Sequence, residues 1–474
     1  MMMFIMVLLF LFLVMVVCSY YSSNELLIWD SGSNSHVFDE IYHPKNESDI
    51  LTILDKAAVE QKTISLWGSQ HSMGGQILGG NYGIDLKNMN KIELINSYEY
   101  VAGCGATWCE VIEYLDKHKL SPKTLQGYCS FSVGGTVGVN ALGSLTDFTI
   151  GESIIAIKVA MPPTPHKASY VAWTYPGDKL FKHVVGGYGL FGVILEVRLK
   201  AVGNHCYNED VPFRYISWDD LSKIKHREDA DDVRMFRVDP LSMNVLMVHF
   251  KNMHDCRIPL PKKPLEESVN PMTTVKHYLI GLPGSRKLRN YLENKLDRPL
   301  DFKYGETTRN VLAYTAAANI KQNTGLIWRK THILNEYFVQ SIEEAHKFIR
   351  YTKELLEEYE GFHFKLLNIS LRYVIHDNVS ALPYAQVDCI ALVYYFRVSY
   401  SHLSVLEDVT SKLIVQVLKQ KGSFYLPYKK VYTIEQFHEA YGKERVDSFE
   451  HYKREVDPFG ILINSWYNKY YLQQ

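Results

Sequence analysis

Apolar residues recur at a helical period over residues 46–59, where Ile50, Ile53, Leu54 and Ala57 share one face. They do so again over 107–118, through Trp108, Val111, Ile112 and Leu115. Short apolar runs at 63–67, 82–86, 154–161 and 193–202 read as strands bounded by glycine or polar turns. As far as about residue 203 the chain mixes the two without the regular alternation of a doubly wound parallel sheet, which predicts an α+β fold. From residue 204 glycines thin out and segments lengthen. Residues 341–358 predict an amphipathic helix, opened by Ser341 and Glu344 as a capping box, with Ile342, Ala345, Phe348, Ile349, Thr352 and Leu355 on one stripe. Residues 390–398, rich in β-branched and aromatic side chains, predict a strand. Residues 434–453 predict a polar helical hairpin that ends at Asp457-Pro458-Phe459-Gly460.

The leading stretch stands apart. Its first 17 residues carry no polar side chain, a length at the lower edge of a membrane span of roughly 17–25 residues and compatible with a long signal-peptide core. No Lys or Arg precedes Lys45, and Tyr20 and Tyr21 suit a membrane interface. Membrane association through residues 1–17, as a retained anchor or a removed leader, is the expectation, with a membrane-associated, secretory or periplasmic location. On a route through a glycosylating lumen, Asn46, Asn368 and Asn378, each in an Asn-X-Ser sequon, become candidate acceptors.

A length of 474 residues exceeds what one core usually serves, so at least two domains are expected. The formal charge of −1 and the absence of a Lys/Arg run exclude an electrostatic footprint for nucleic acid. Seven scattered cysteines without a CxxC pair give neither a disulfide scaffold nor a structural zinc site.

The candidate chemistry sits in glycine-rich stretches. Gly187-Tyr188-Gly189-Leu190-Phe191-Gly192 matches the GxGxxG dinucleotide fingerprint, but a helix precedes it and a strand follows, the reverse of the order that aims N–H groups at a pyrophosphate. The loop from Gly68 to Gln76 is more informative. Gly68, Gly74 and Gly75 let the backbone present several N–H groups to one anion, and Ser69 and Ser72 add hydroxyls. The cluster at Gly134, Gly135 and Gly138 can form the opposite wall of the same cradle. Both can equally be tight turns between strands.

At this point the residues resemble a family. Trp67-Gly68-Ser69-Gln70-His71-Ser72-Met73-Gly74-Gly75 is similar to the G-x-x-H-S loop of flavoproteins of the vanillyl-alcohol oxidase / p-cresol methylhydroxylase type. In the same order follow Val101-Ala102-Gly103-Cys104-Gly105-Ala106-Thr107-Trp108, a strand-to-helix joint, and a flavin-wrapping segment. That segment runs through Leu125-Gln126-Gly127, Val133-Gly134-Gly135 and Gly138 to Asn140-Ala141-Leu142-Gly143. Gly186-Gly187-Tyr188-Gly189-Leu190 up to Val193, and Arg454-Glu455-Val456-Asp457-Pro458-Phe459-Gly460, complete the set.

The resemblance implies a two-subdomain FAD-binding domain at 36–203, a substrate-binding α+β cap at 204–433 and a segment 434–474 returning to the first domain. FAD is the implied cofactor, held by Gly68, Ser69, Gln70, His71, Ser72, Gly74, Gly127, Gly134, Gly135, Gly138, Asn140, Gly143, Gly189 and Val193. In many relatives the histidine at the place of His71 is bonded covalently to the flavin, which makes that bond available here.

In the cap, Asn335-Glu336-Tyr337-Phe338-Val339, Asp388-Cys389-Ile390 and Tyr425-Leu426-Pro427-Tyr428-Lys429-Lys430 resemble the sugar-oxidising branch: aldonolactone oxidases, alditol oxidases and decaprenylphosphoryl-ribose 2′-oxidase. The implied reaction moves a hydride from a sugar-like alcohol to flavin N5, with oxygen or a quinone as final acceptor. Glu336, Lys429, Lys430, Arg372 and Cys389 are the catalytic candidates. One departure stands out: relatives usually have histidine where this chain has Leu142. An electron-transferring dehydrogenase and a flavin-binding protein without turnover therefore remain alternatives.

Overall fold

The computed structural model describes residues 25–208, 214–224, 232–240, 242–253, 258–266, 306–316, 330–359, 361 and 363–472. The apolar run 1–17 lies outside them. No helix among the described residues is long and apolar enough to cross a membrane.

The N-terminal half folds as two layers of different strand direction. A small parallel sheet joins Glu40–Tyr42, Tyr82–Asp85 and Ile64–Trp67 in that spatial order. The helix Glu47–Val59 turns Ile50, Ile53, Leu54 and Ala57 into the core, and Asn46 caps it by accepting from the Asp49 amide. A six-stranded antiparallel sheet follows, built around Ile154–Met161 and Val193–Gly203. The helix Trp108–Asp116 packs with it, and Thr107 and Glu110 form a reciprocal capping box at its start. Apart from the strand Glu40–Tyr42, which the sequence reading did not include, the elements named here are the expected ones, shifted by a residue or two at their ends.

The second glycine cluster is not the tight turn that its glycines allow. It is a short helix, Val133–Gly138, capped by Ser132, whose Oγ accepts from the Gly135 amide. The GxGxxG stretch is flanked as expected by the helix Lys179–Val184 before it and the strand Val193–Gly203 after it. A disulfide joins Cys109 to Cys129, locking the start of helix Trp108–Asp116 to the loop that leads into the Val133–Gly138 helix. Sequence spacing alone did not pair these two.

The cap is a nine-stranded antiparallel sheet whose centre is Phe364–Val374, Cys389–Ser399 and Lys330–Val339. Side chains alternate across each strand, so the sheet has two distinct faces. One carries Tyr337, Leu371, Leu392, Tyr394 and Phe396 and is covered by the helices Ile342–Leu356 and Leu403–Lys419. Tyr337 and Tyr394 pack on Phe348, and the Thr352 and Tyr394 hydroxyls bond at 2.8 Å. The other face carries Glu336, Phe338, Arg372 and Cys389 and looks toward the first domain. At Ile342–Leu356 only half of the expected capping box forms: Ser341 accepts from the Glu344 amide, while the Glu344 carboxylate turns to Lys347 and Gln420.

The C-terminal hairpin consists of the helices Ile434–Tyr441 and Lys443–Val456, after which the chain returns to the parallel sheet. The Ile64 amide donates to the Ile461 carbonyl at 2.6 Å, and the Ile463 amide to the Ile64 carbonyl at 2.9 Å. The fully buried Asp457 holds this return by pairing with Lys453 and accepting from the amides of Ile461 and Leu462.

Candidate active site between the glycine loops and the cap sheet

The strand Ile64–Trp67 delivers the loop 68–76 into a crevice where three other segments hold it. From one side the Ser31 amide donates to the Ser72 carbonyl at 2.9 Å and the Ser31 hydroxyl to the Gln70 carbonyl at 3.1 Å. The Asp30 carboxylate accepts from the Gly75 amide at 2.9 Å. Asp30 is buried, and that burial raises its pKa against the pull of these donors. From a second side, Ser132 lies so close to Gly68 that a Cβ there would collide with its Oγ. From the third, the Met73 amide donates to the Pro427 carbonyl at 3.1 Å, and a Cβ on Gly74 would strike the Tyr428 carbonyl. The two glycine clusters therefore do face one another. Asp30 and Ser31, just before the first domain, support the loop.

Several features fit a bound dinucleotide. Gly138 is buried, yet a Cβ added there would meet nothing within 4 Å, and one at Gly127 would meet only Arg372 at 3.7 Å. The backbone thus borders open space at both points. Ser72 Oγ, Trp67 Nε1 and Gln126 Oε1 are buried and have no hydrogen-bond partner among the described residues. Buried polar atoms ordinarily find partners, so a ligand rich in acceptors and donors suits them. Ser69, Gln70, His71 and Ser72 are all half-buried along the loop, and Gln70 sits at φ 57°, the left-handed region. The His71 ring lies against Phe131, centroids 4.5 Å apart, so the loop's imidazole is placed by the segment following the disulfide.

Other expected cofactor residues act through the frame. Asn140, at φ 46°, donates to Asp377 at 2.9 Å and accepts from the Gly151 amide at 3.1 Å, so its side chain is committed to holding the turn. Gly189, at φ 75°, packs over Leu66, and Val193 is fully buried in the core. Gly134 lies against Cys104, where a Cβ would come within 2.8 Å of the cysteine's own Cβ. Gly143 offers its carbonyl to Arg372 at 3.4 Å. Leu142 is a buried core side chain.

Across the crevice, Glu336 projects from the open face of the cap sheet. It is 6 % exposed, and burial pushes its pKa up to about 7, against the opposing pull of the Arg372 charge and the Tyr428 hydroxyl. Its Oε1 is buried and accepts no hydrogen bond among the described residues. Arg372 and Glu336 share this face because Ser370, two residues before Arg372, and Glu336 both pair with Val393. Around them Phe338, Tyr384 and Tyr425 form an aromatic wall, with Phe338 stacked on Tyr384 at 4.6 Å and Tyr384 edge-on to Tyr425 at 5.0 Å. The Tyr425 hydroxyl donates to the Val139 carbonyl at 2.7 Å, and the Tyr384 hydroxyl to the Asn140 carbonyl at 2.9 Å, tying the wall to the first domain. Cys389 is a buried free thiol whose pKa burial raises, so it stays protonated.

The turn 425–430 comes to the site through a residue other than the lysines. Tyr428 reaches Glu336, whereas Lys429 faces Glu407 at 3.8 Å and feels Asp30. Lys430 donates to the Ser465 carbonyl at 3.2 Å, beside Gly75. Burial lowers the pKa of both. Tyr428, Asp377, Asp30 and Ser132 are the site-building residues that sequence reasoning passed over. The tyrosine was hidden because the pattern that flagged the turn pointed to its basic residues.

Two glycine-rich walls and an antiparallel cap sheet thus face one another across a single crevice. Residues 39–163 match the family described as an FAD binding domain, so FAD is the cofactor that this part of the chain takes. An uncharacterized oxidoreductase of the fasciation locus of Rhodococcoides fascians is 24% identical over 163 residues, which cover 34% of this chain and 37% of that one. Cytokinin dehydrogenase 5 of Arabidopsis thaliana is 27% identical over 170 residues, covering 34% and 31%. The chain thus spans only about a third of the length of the curated relatives it matches. In overall fold it is similar to a solvent-stable cholesterol oxidase, with a TM-score of 0.69 at 11% identity over 94% of this chain and 97% of that one. A cholesterol oxidase from Brevibacterium sterolicum gives 0.62 at 13% over 94% and 96%. The shared fold therefore extends through the cap.

Proposed function

We propose that the protein is an FAD-dependent oxidoreductase that oxidises an alcohol carbon of a hydroxyl-rich, sugar-like small molecule, with oxygen or a membrane quinone as final electron acceptor. The observation that carries this reading is the buried Glu336 carboxyl, poised near neutrality, with Arg372 and Tyr428 beside it and one buried oxygen without a hydrogen-bond partner among the described residues. Its dehydrated carboxylate takes the proton of a substrate hydroxyl, because a base works best when its pKa lies near the working pH. Arg372 steadies the negative charge on Glu336, and Tyr428 orients it. The aromatic wall excludes water and offers flat surfaces to a ring-shaped substrate. FAD, when bound, supplies the two-electron acceptor that such an oxidation needs. With Leu142 packed in the core, Glu336 is the group left to serve as base.

Anaerobic mixing of the purified yellow protein with a substrate panel tests this. Aldonolactones, alditols and aldoses should bleach the flavin absorbance, and cytokinins and cholesterol should not. Bleaching only by the latter pair would replace the substrate class, and bleaching by none of them would favour a flavin carrier without turnover. Reoxidation by air or only by a quinone analogue decides the acceptor. His71 is proposed to carry the flavin covalently, since Phe131 fixes its ring within the cradle. Acid precipitation should then leave colour in the pellet and His71→Ala should release it; colour wholly in the wild-type supernatant would refute the bond. The location proposed is membrane-associated or secretory, and deletion of residues 1–18 should shift the protein to the soluble fraction.

A further inference from the structure

The antiparallel sheet of the first domain has one partly open face, which the helix Glu47–Val59 meets at its N-terminal end through the Glu47–Lys158 ion pair at 2.6 Å. A groove of ≈ 940 Å³ runs along it, bordered at one end by Asn46. Cross-strand register places Val101, Ala156, Lys158, Trp173, Glu196 and Arg198 on this same face. Trp173 is 44% exposed and Tyr175 at the rim 53%, large aromatic surfaces that neither the core nor the active site uses. Asn46 opens an Asn-Glu-Ser sequon and is exposed. Its Oδ1 is occupied as helix cap, accepting from the Asp49 amide at 3.1 Å, which holds the side chain still and leaves Nδ2 without a hydrogen-bond acceptor among the described residues. The other two sequons differ. Asn378 is exposed on a loop, whereas Asn368 lies within a central strand of the cap sheet with its Oδ1 buried. The Cys109–Cys129 disulfide is independently of the kind that forms in oxidising compartments, where N-glycosylation takes place in eukaryotic cells.

We propose that Asn46 carries an N-linked glycan whose first sugars lie in this groove. In the transfer, Asn46 Nδ2 bonds to the anomeric carbon of a lipid-pyrophosphate-linked oligosaccharide and loses one proton. The bond from that carbon to the pyrophosphate oxygen breaks, and the lipid pyrophosphate leaves. The groove's chemistry suits sugars: the C–H faces of pyranose rings stack on Trp173 and Tyr175, whose π faces are electron-rich, and hydroxyls bond to Glu196 and to the ion pairs Lys158–Glu47 and Arg198–Glu99 at the groove.

The full-length chain, expressed through the secretory route of a eukaryotic host, tests the proposal by peptide mass spectrometry. Asn46 should carry a glycan in most molecules and Asn368 in none. Ser48→Ala destroys the sequon but keeps the Asn46 cap, so it should lose the glycopeptide mass while the protein stays folded and yellow. Tryptophan emission should shift to the red in Ser48→Ala, and the shift should vanish in a Trp173→Phe background. An unmodified Asn46 in protein whose Cys109–Cys129 bond has formed overturns the proposal, as does a chain that never reaches the lumen. A glycan at Asn46 with no change in tryptophan emission overturns its seating in the groove. FAD content, read from the same samples, reports separately on the flavoprotein assignment.

Discussion

The two walls of the crevice are made by opposite means. The flavin-side wall is backbone: Gly68, Gly74, Gly127 and Gly138 matter for what they lack, since neighbours fill the space that a Cβ would take at Gly68 and Gly74 while at Gly127 and Gly138 the backbone borders open space. The cap-side wall is side chains: Glu336, Arg372 and Tyr428 are delivered by strand register and one turn, and their behaviour depends on burial and mutual charge. A backbone wall suits a constant partner such as a cofactor, because main-chain N–H groups bind phosphate and ring edges whatever the surrounding sequence. A side-chain wall can be retuned residue by residue. Cofactor retention and turnover should therefore fail independently when the two walls are altered.

The largest effect should come from the backbone wall. Gly68→Val drives a branched side chain into Ser132 and Gly135→Val fills the cradle edge, so each should lower FAD per chain more than tenfold. Absorbance of purified protein measures this, and normal flavin content in both would break the comparison at its first term. Next in size is the frame that brings the C-terminal segment back. Asp457→Ala strands the buried Lys453 charge, which should cost about 3–5 kcal/mol in a denaturant titration.

On the cap wall, Glu336→Gln should keep flavin content at the wild-type level and slow anaerobic flavin reduction by about 10²–10⁴-fold. The pH dependence follows from the direction of the shift. Wild-type reduction should rise with pH through about 7 as the carboxyl ionises, and the rise should disappear in Glu336→Gln. Stability should move the other way. The folded state holds the Glu336 proton to higher pH than the unfolded chain does, so the stabilisation is complete below the unfolded value of 4.5. It is lost as pH climbs through about 7, a change of about 3 kcal/mol that the variant should lack. A flat wild-type profile in both measurements would remove Glu336 from its role.

The same contrast explains what was legible in the sequence. The helices at Ile50–Ala57 and Trp108–Leu115 and the strands Ile154–Met161 and Val193–Gly203 follow from periodicity, and the glycine strings mark the backbone wall directly. The helical form of Val133–Gly138 was hidden, because three glycines in six residues argue against a helix that the Ser132 cap and the core contacts of Val133 and Val137 nevertheless impose. The Cys109–Cys129 bond depends on the loop Leu125–Phe131 folding back, which no local pattern encodes. Glu336 and Arg372 are candidates through the family resemblance, but only the register of three strands puts them on one face. Asp30 was invisible because its partner Gly75 lies 45 residues away.

The smallest and sharpest test separates members of one turn. Tyr428, Lys429 and Lys430 are adjacent in sequence, yet only the tyrosine reaches Glu336; Lys429 faces Glu407 and Lys430 the Ser465 carbonyl. Tyr428→Phe keeps the ring and its packing on Tyr425 but withdraws the hydroxyl that favours the charged carboxylate. The midpoint of the rate–pH profile should therefore rise by about half a unit to one unit, consistent with one lost hydrogen bond of about 1 kcal/mol, and the rate at neutral pH should fall several-fold. Lys429→Met and Lys430→Met should leave that midpoint where it is, although Lys430→Met loosens the contact with the C-terminal segment and should lower thermal stability slightly. A shifted midpoint in either lysine variant, with none in Tyr428→Phe, would mean that the turn presents its charges to the substrate after all, and the side-chain wall would have to be redrawn around the lysines.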